Sequence, residues 1–445
     1  MSVVTLQLGQ CGNQVGLSFF DKLSTELQHF SAEDRECFFR SHDSKTIAGH
    51  DEARQRATAR AVLIDMEPKV VNQCFENAGR ATGGIPWQYD AANIVCEQSG
   101  SGNNWAYGYA VHGTGCHEGV LDVVRKEVER CDYFKGFLAL QSLAGGTGSG
   151  LGSYVCDSLR ELYPSSYLLN SVVWPYRSGE VIVQNYNTLL TMACLSESSD
   201  GMLILENDLS DQICQRLLAI PAPSFAQMNQ VLANHLAAVL LPVLPFQKRT
   251  HSSRFSSCAL PSILQHLCAH PGYKLLNVKL VPQLATRSRE FSAHQWPGVL
   301  KHLHQMHIAN SGMDEGVRWD VSLDNGQIFN KSVASMLFLR GPHSDQLGQV
   351  DPSAFRDSRL YTSWSMVPFT CMYHPLPFSQ YDKTAALLSN CQAMLPQVEA
   401  MLEKAHHMFT SNAYVHQYAA HGVEADFFRS CFLRLDQMVV NYKAM

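Results

Sequence analysis

Through the first half of the chain, short apolar runs alternate with stretches whose apolar residues recur every three to four positions. Val3–Leu8 reads as a strand, Gly9–Gly12 as a turn, and Val15, Phe19 and Leu23 as one face of a helix. Ala61–Ile64, Asn93–Cys96, Phe137–Leu143, Val172–Trp174 and Met202–Leu205 read as further strands. Between them, Glu118–Cys131 carries Val120, Val124 and Val128 on one face, and Leu151, Val155, Leu159 and Leu162 mark another helix. This alternation predicts a parallel sheet wrapped by helices. Residues 29–60 are polar and read as a long surface excursion.

From Phe225 to Leu241 apolar residues cover most of a helical surface before Pro242 stops it, so this helix is expected to be buried on most sides, between domains. The middle third mixes strands such as Leu275–Val281 and Ser335–Arg340 with helices, and helices near Gln392–Thr410 and Glu424–Tyr442 close the chain. The pattern divides into an α/β parallel-sheet domain over 1–224, a central helix with an α+β intermediate domain over 225–391, and a C-terminal helical region over 392–445. A length of 445 residues suits two or three domains.

Composition narrows the function without naming it. Hydrophobic residues make up 46% and charged residues 17%, the profile of a soluble globular protein. A net charge of −6 argues against a nucleic-acid partner, which requires a basic face. The start lacks the cationic, then apolar, pattern of a signal peptide. No stretch reaches the about 18–20 apolar residues of a membrane span. The 14 cysteines include no Cys-x-x-Cys pair and read as reduced, mostly buried thiols. His302, His304 and His307 have no carboxylate or cysteine beside them, so no metal site is expected there.

The strongest chemical signal is Ala144-Gly145-Gly146-Thr147-Gly148-Ser149-Gly150, between a strand and a helix. Glycines let successive N–H groups turn into one cavity, and the following helix N-terminus adds partial positive charge. Thr147 and Ser149 add hydroxyls. The result suits a di- or triphosphate; the alternative is a glycine-rich turn without a ligand. No Lys-Ser/Thr follows, so this is not a Walker A loop. A dinucleotide site would want an acid about 20 residues on. Asn170–Pro175 contains none, which argues against NAD.

Two further loops occupy equivalent strand ends. Gly9-Gln10-Cys11-Gly12 could touch the α and β phosphates, and Gly100-Ser101-Gly102-Asn103-Asn104 could close over a γ-phosphate. Each alone could equally be a tight turn. Asp65 and Glu67 could hold Mg²⁺ beside the phosphates, or cap the helix that Pro68 begins.

Together with Asp65-Met66-Glu67-Pro68, Asn185-Tyr186-Asn187, Glu206-Asn207-Asp208 and Ala413–Tyr418, these loops resemble the tubulins in order and spacing along essentially the whole chain. Trp174-Pro175-Tyr176, Ser101–Tyr109, Gly179–Asn187 and Tyr361–Trp364 resemble the delta branch of that family. The resemblance implies GTP or GDP with Mg²⁺ as cofactors. It assigns phosphate contacts to Gln10, Cys11, Asn103, Gly146, Thr147 and Gly148, and counts Ser142, Ala144, Gly145, Ser149 and Gly150 among the cofactor-binding residues. It places Glu67 near Mg²⁺ and Glu180 near the ribose, and has Asn207 and Asn229 read the guanine edge. Phe225 stands where tubulins usually have Tyr; stacking on the base would survive without a hydroxyl contact.

Two departures follow from the same comparison. Polymerising tubulins complete GTP hydrolysis with an acid supplied by the next subunit. Here the corresponding segment, Ser257–Leu264, has none, and no Asp or Glu occurs from Gln212 to Arg289. The chain is therefore expected not to activate a neighbour's GTP. With no catalytic group in cis it is at most a weak GTPase needing a partner subunit. The sequence ends at Asn441–Met445 where alpha and beta tubulins continue into an acidic tail, so motor binding and tail modification are not expected. Segment 283–330, where lateral contacts would lie, diverges as well. The resemblance implies a GTP-binding cytoskeletal protein of the centrosome, centriole and ciliary basal body, acting in triplet microtubule assembly with epsilon-tubulin among its partners. A non-polymerising GTP-dependent regulator is the alternative, and a dehydrogenase a distant third.

Overall fold

Strands covered on both faces are mostly apolar, and five largely apolar strands make the parallel sheet of the first of two structural units. The computed structural model describes residues 2–40, 56–80, 83–179, 181–246, 258–284, 295–324, 330–346 and 349–445. Its first unit joins Met1–Ser199 to Met401–Leu435; the second joins Asp200–Ala400 to Asp436–Met445.

In the first unit β1 (Ser2–Leu8) runs directly into α1 (Gly9–Leu27). Gly9–Gly12, expected as a separate turn, is therefore the first turn of the helix. Next come α2 (Ala32–Arg35), β2 (Phe39–Arg40), β3 (Ala57–Ala59), β4 (Ala61–Asp65), α3 (Pro68–Asn77), β5 (Trp87–Gln88) and β6 (Ile94–Cys96). After them follow α4 (Gly113–Glu129), β7 (Phe134–Ser142), α5 (Gly152–Leu162), β8 (Tyr167–Trp174) and α6 (Gln184–Ser198). The main sheet has the order β8-β7-β1-β4-β6, all parallel.

β8 starts at Tyr167 rather than Val172. Asn170 hides this start by breaking the apolar run, yet it is fully buried because its polar atoms are partnered. It accepts from Gln141 Nε2 at 2.7 Å and donates to Ser199 Oγ at 2.6 Å. Of the polar excursion 29–60, residues 41–55 lie outside the described residues. Its two ends are structured, because Phe38 and Phe39 are buried and β2, β3 and β5 form a small sheet. The ring of Phe39 meets Phe20 edge-on at 5.5 Å.

The second unit contains β9 (Gly201–Glu206), α7 (Asn207–Gln212), α8 (Phe225–Leu240), β10 (Leu244–Pro245), α9 (Ala259–Leu267), β11 (Leu275–Val281), α10 (Trp296–Ile308), β12 (Ser332–Arg340), β13 (Phe369–His374) and β14 (Thr384–Cys391). Within it the strands follow the order β10-β13-β12-β14-β11-β9, with parallel and antiparallel pairs mixed. Helix α8 matches the apolar run that predicted it. Ser224 and Gln227 close its start with a reciprocal capping box. Three helices close the chain: α11 (Leu395–Thr410), α12 (Val415–Ala419) and α13 (Ala425–Lys443). None of the 14 cysteines forms a disulfide among the described residues.

The histidines of α10 each meet a different neighbour. His302 lies edge-on to Trp319 at 5.6 Å and His304 to Phe355 at 5.3 Å, while His307 Nε2 lies 3.3 Å from Ser332 Oγ. Burial pushes the His307 imidazole down to about 3, and the Lys279 ammonium and His304 push the same way. The folded chain therefore keeps His307 neutral, whereas unfolding returns it to its ordinary value of 6.5. Below that value only the unfolded state takes up the proton. The stability present above it then drains by about 1.4 kcal/mol per pH unit as pH falls toward the folded value. In urea titrations, the stability advantage of the wild type over His307→Gln should shrink at that rate as the buffer is taken below the imidazole range. A difference that ignores pH would show that His307 is not held neutral.

Candidate functional site

All five strands of the first sheet run the same way, so the segments after β1, β4, β6 and β7 emerge at one edge. These segments are the first turn of α1, the glycine loops after β6 and β7, and Asp65–Pro68. Their backbones touch. Gly9 has φ +69, and a Cβ on it would stand 2.7 Å from the amide nitrogen of Gly148. Neither the conformation nor the space admits a side chain. A Cβ on Gly146 would stand 2.7 Å from Ser101 Cβ and 2.8 Å from the Asn104 nitrogen. Ser101 and Thr147 share a hydroxyl–hydroxyl hydrogen bond of 2.8 Å. The first turn of α1 and the loop after β6 thus both close on the loop after β7.

Within that central loop, the Ala144 N–H donates to Ser142 Oγ at 3.2 Å and the Gly150 N–H to the Gly146 carbonyl at 2.8 Å. Thr147–Leu151 winds as a wide π-type turn into α5. Ser149 is fully buried and its hydroxyl donates to the Gly145 carbonyl, so it shapes the loop from inside. A Cβ on Gly145 would meet no protein atom within 4 Å. Gln10 and Asn103 are exposed and Cys11 is half-buried. Asn103 takes φ +55, a left-handed conformation that asparagine tolerates better than most residues. A glycine cradle open on one side, rimmed by amide side chains and backed by a helix start, fits a polyphosphate.

The carboxylates divide. Asp65 is buried, accepts from the Met66 N–H at 2.8 Å, and burial raises it to about 6. Glu67 occupies the N-cap position of α3 but its side chain makes no capping bond. It is exposed, and its carboxylate lies against Gly100 at the start of the loop after β6. A carboxylate so placed beside a phosphate cradle fits Mg²⁺, which takes one or two protein oxygens and completes its shell with phosphate and water.

Residue Asn187, on α6, was not singled out for any role by its sequence position. Its side-chain amide donates to the carbonyls of Asn103 at 2.8 Å and Ala144 at 2.7 Å. Its oxygen accepts from the Trp105 N–H at 3.2 Å and from the Tyr418 hydroxyl at 2.6 Å. The only sequence signal was its place in Asn185-Tyr186-Asn187.

The remaining assigned residues belong to other segments of the chain. Glu180 lies outside the described residues. Asn207 begins α7, Phe225 begins α8 and is half-exposed, and Asn229 lies one turn along α8, buried; all three belong to the second unit. Ser257 lies outside the described residues. Cys258 caps α9, which turns Leu260, Ile263 and Leu264 into the core and carries no carboxylate.

The chain is similar to known proteins over its whole length. The Tubulin/FtsZ family GTPase domain matches residues 2–215. The chain is 41% identical to the tubulin delta chain of Canis lupus familiaris and 40% identical to that of Homo sapiens, over 99% of each chain. It is 39% identical to the tubulin delta chain of Mus musculus over the full length of both.

Proposed function

Since this chain belongs to the tubulin family and is a GTP-binding member of it, we propose that it holds GTP or GDP in the cradle formed by the first turn of α1 and the loops after β6 and β7 and works as a subunit of a tubulin assembly. The observation that carries this reading is the closure of the α1 start and of the loop after β6 on Gly146–Gly148. Glu67 would hold Mg²⁺ against the terminal phosphates. Asn207 and Asn229 would select guanine, as the family resemblance assigns them. The absence of an acid from Gln212 to Arg289 supports a subunit that does not trigger hydrolysis in a neighbour.

The place of action follows from resemblance to the delta branch: centrioles and ciliary basal bodies, in building or keeping triplet microtubules, with epsilon-tubulin and other tubulin subunits as partners. Purified from cells without denaturant, the chain should bring other tubulin-family subunits with it. After denaturation, chromatography should find GTP or GDP at about one per chain. A folded chain that releases no nucleotide refutes the cradle. One that carries nucleotide but no subunit favours a free-standing GTP-dependent regulator.

A further inference from the structure

We propose that Asn187 and Tyr418 form a positioning pair that sets how much better the site holds a nucleoside triphosphate than a diphosphate. The proposal rests on the nucleotide reading above.

A carboxamide offers two donor hydrogens and two acceptor lone pairs, and Asn187 uses all four. The two donors go to carbonyls of different loops, Asn103 after β6 and Ala144 after β7. One NH₂ group therefore staples the two loops together. The orientation of the amide is dictated by its partners, because carbonyls can only accept and the Trp105 N–H can only donate. Asn187, Trp105 and Tyr418 are all fully buried, so water does not replace a lost partner without rearrangement.

The Tyr418 hydroxyl makes the shortest of the four bonds and comes from α12, far along the chain. Tyr418 is itself held edge-on by Tyr186 at 5.6 Å and Phe428 at 5.3 Å. The neighbouring Gln417 carbonyl accepts from Asn104 Nδ2 at 3.0 Å. Helix α12 thus grips the loop after β6 at two adjacent points, once directly and once through Asn187. That loop carries Asn103 at its exposed tip, where a third phosphate would lie. The diphosphate end belongs to the glycine loop, which Asn187 also holds through the Ala144 carbonyl but which keeps two bonds of its own, Ala144 to Ser142 and Gly150 to Gly146, that involve neither Asn187 nor Tyr418. Loosening Asn187 should therefore weaken triphosphate binding selectively.

The test compares dissociation constants for GTP and GDP, after exchange of resident nucleotide, for wild type, Tyr418→Phe and Tyr186→Phe. Tyr186 donates its hydroxyl to the Ala413 carbonyl at 3.0 Å in the same aromatic cluster and does not bond Asn187, so its variant controls for loss of a buried hydroxyl. Tyr418→Phe should weaken GTP about 5- to 10-fold and GDP less than about 2-fold, the scale of one buried hydrogen bond. Tyr186→Phe should leave the ratio unchanged. Equal weakening of both nucleotides by Tyr418→Phe, or none, overturns the pair while leaving the site intact. A wild type that binds neither nucleotide refutes the cradle itself. A second measurement needs no variant. Because coupling is reciprocal, GTP should slow deuterium exchange at Val415–Ala419 more than GDP does; identical exchange with both nucleotides overturns the proposal.

Discussion

Gly146→Val should empty the nucleotide site without unfolding the protein. Gly146 has φ −93, so its backbone accepts any residue. What it lacks is room, since a Cβ would stand 2.7 Å from Ser101 Cβ and 2.8 Å from the Asn104 nitrogen. A valine must push the loop after β6 away from the loop after β7. Overpacking of this kind costs about 1–3 kcal/mol. Here the displaced atoms belong to the cradle, so the cost falls largely on binding, up to about 100-fold in affinity. The chromatographic assay for released nucleotide, with a melting curve alongside, checks both halves of the statement. Gly145→Ala separates the causes. Its added methyl meets no protein atom within 4 Å, so nucleotide lost there would be lost by collision with the ligand itself. Full nucleotide occupancy in Gly146→Val would mean that the contact between the two loops is irrelevant to binding.

The second large effect lies in the other unit. Arg340 is buried on β12 and donates to three carbonyls at the end of α8: Ala238 at 3.0 Å, Leu241 at 2.8 Å and Pro242 at 3.3 Å. A helix ends with unpaired carbonyls and partial negative charge, and a guanidinium answers both. Phe378 lies beneath it, 5.9 Å from ring centroid to guanidinium carbon. Arg340→Met keeps most of the stem and leaves those carbonyls buried without the guanidinium. The expected loss is about 3–5 kcal/mol, the range for removing a charged partner from a buried cluster. It should appear as a lower first melting transition. Arg318→Met, which breaks a pair with Asp320 exposed on both sides, should leave the melting curve unchanged. Equal melting of the Arg340 variant and wild type would show that the α8 terminus needs no cation.

How far the sequence foretold these features depends on how locally each is encoded. The cradle was legible because glycines at 145, 146, 148 and 150 directly after an apolar strand have few other uses. Helix α8 was legible because a long apolar stretch ended at a proline has one reading. The start of β8 was not, because Asn170 looks like a surface residue until Gln141 and Ser199 supply its partners. Asn187 was hidden for the same reason: four partners from three separate stretches of chain saturate it, and no spacing rule records that. Phe38 and Phe39 sat inside a polar region whose average concealed them. Ser149 could be placed in the loop, but not the inward turn of its hydroxyl toward Gly145.

The make-up of the first unit bears on how the protein is made. Its core draws on Met1–Ser199 and on Met401–Leu435, so a ribosome must synthesise all of Asp200–Ala400 before that core can close. Throughout that interval Tyr186 lacks Tyr418 and Phe428, Trp105 lacks Phe427, and Asn187 lacks its tyrosine. The nascent nucleotide domain waits with an aromatic face uncovered, the kind of surface on which incomplete chains cohere. The supply of molecules able to load GTP is then set by completed translation and release, and not by the early emergence of the glycine loops.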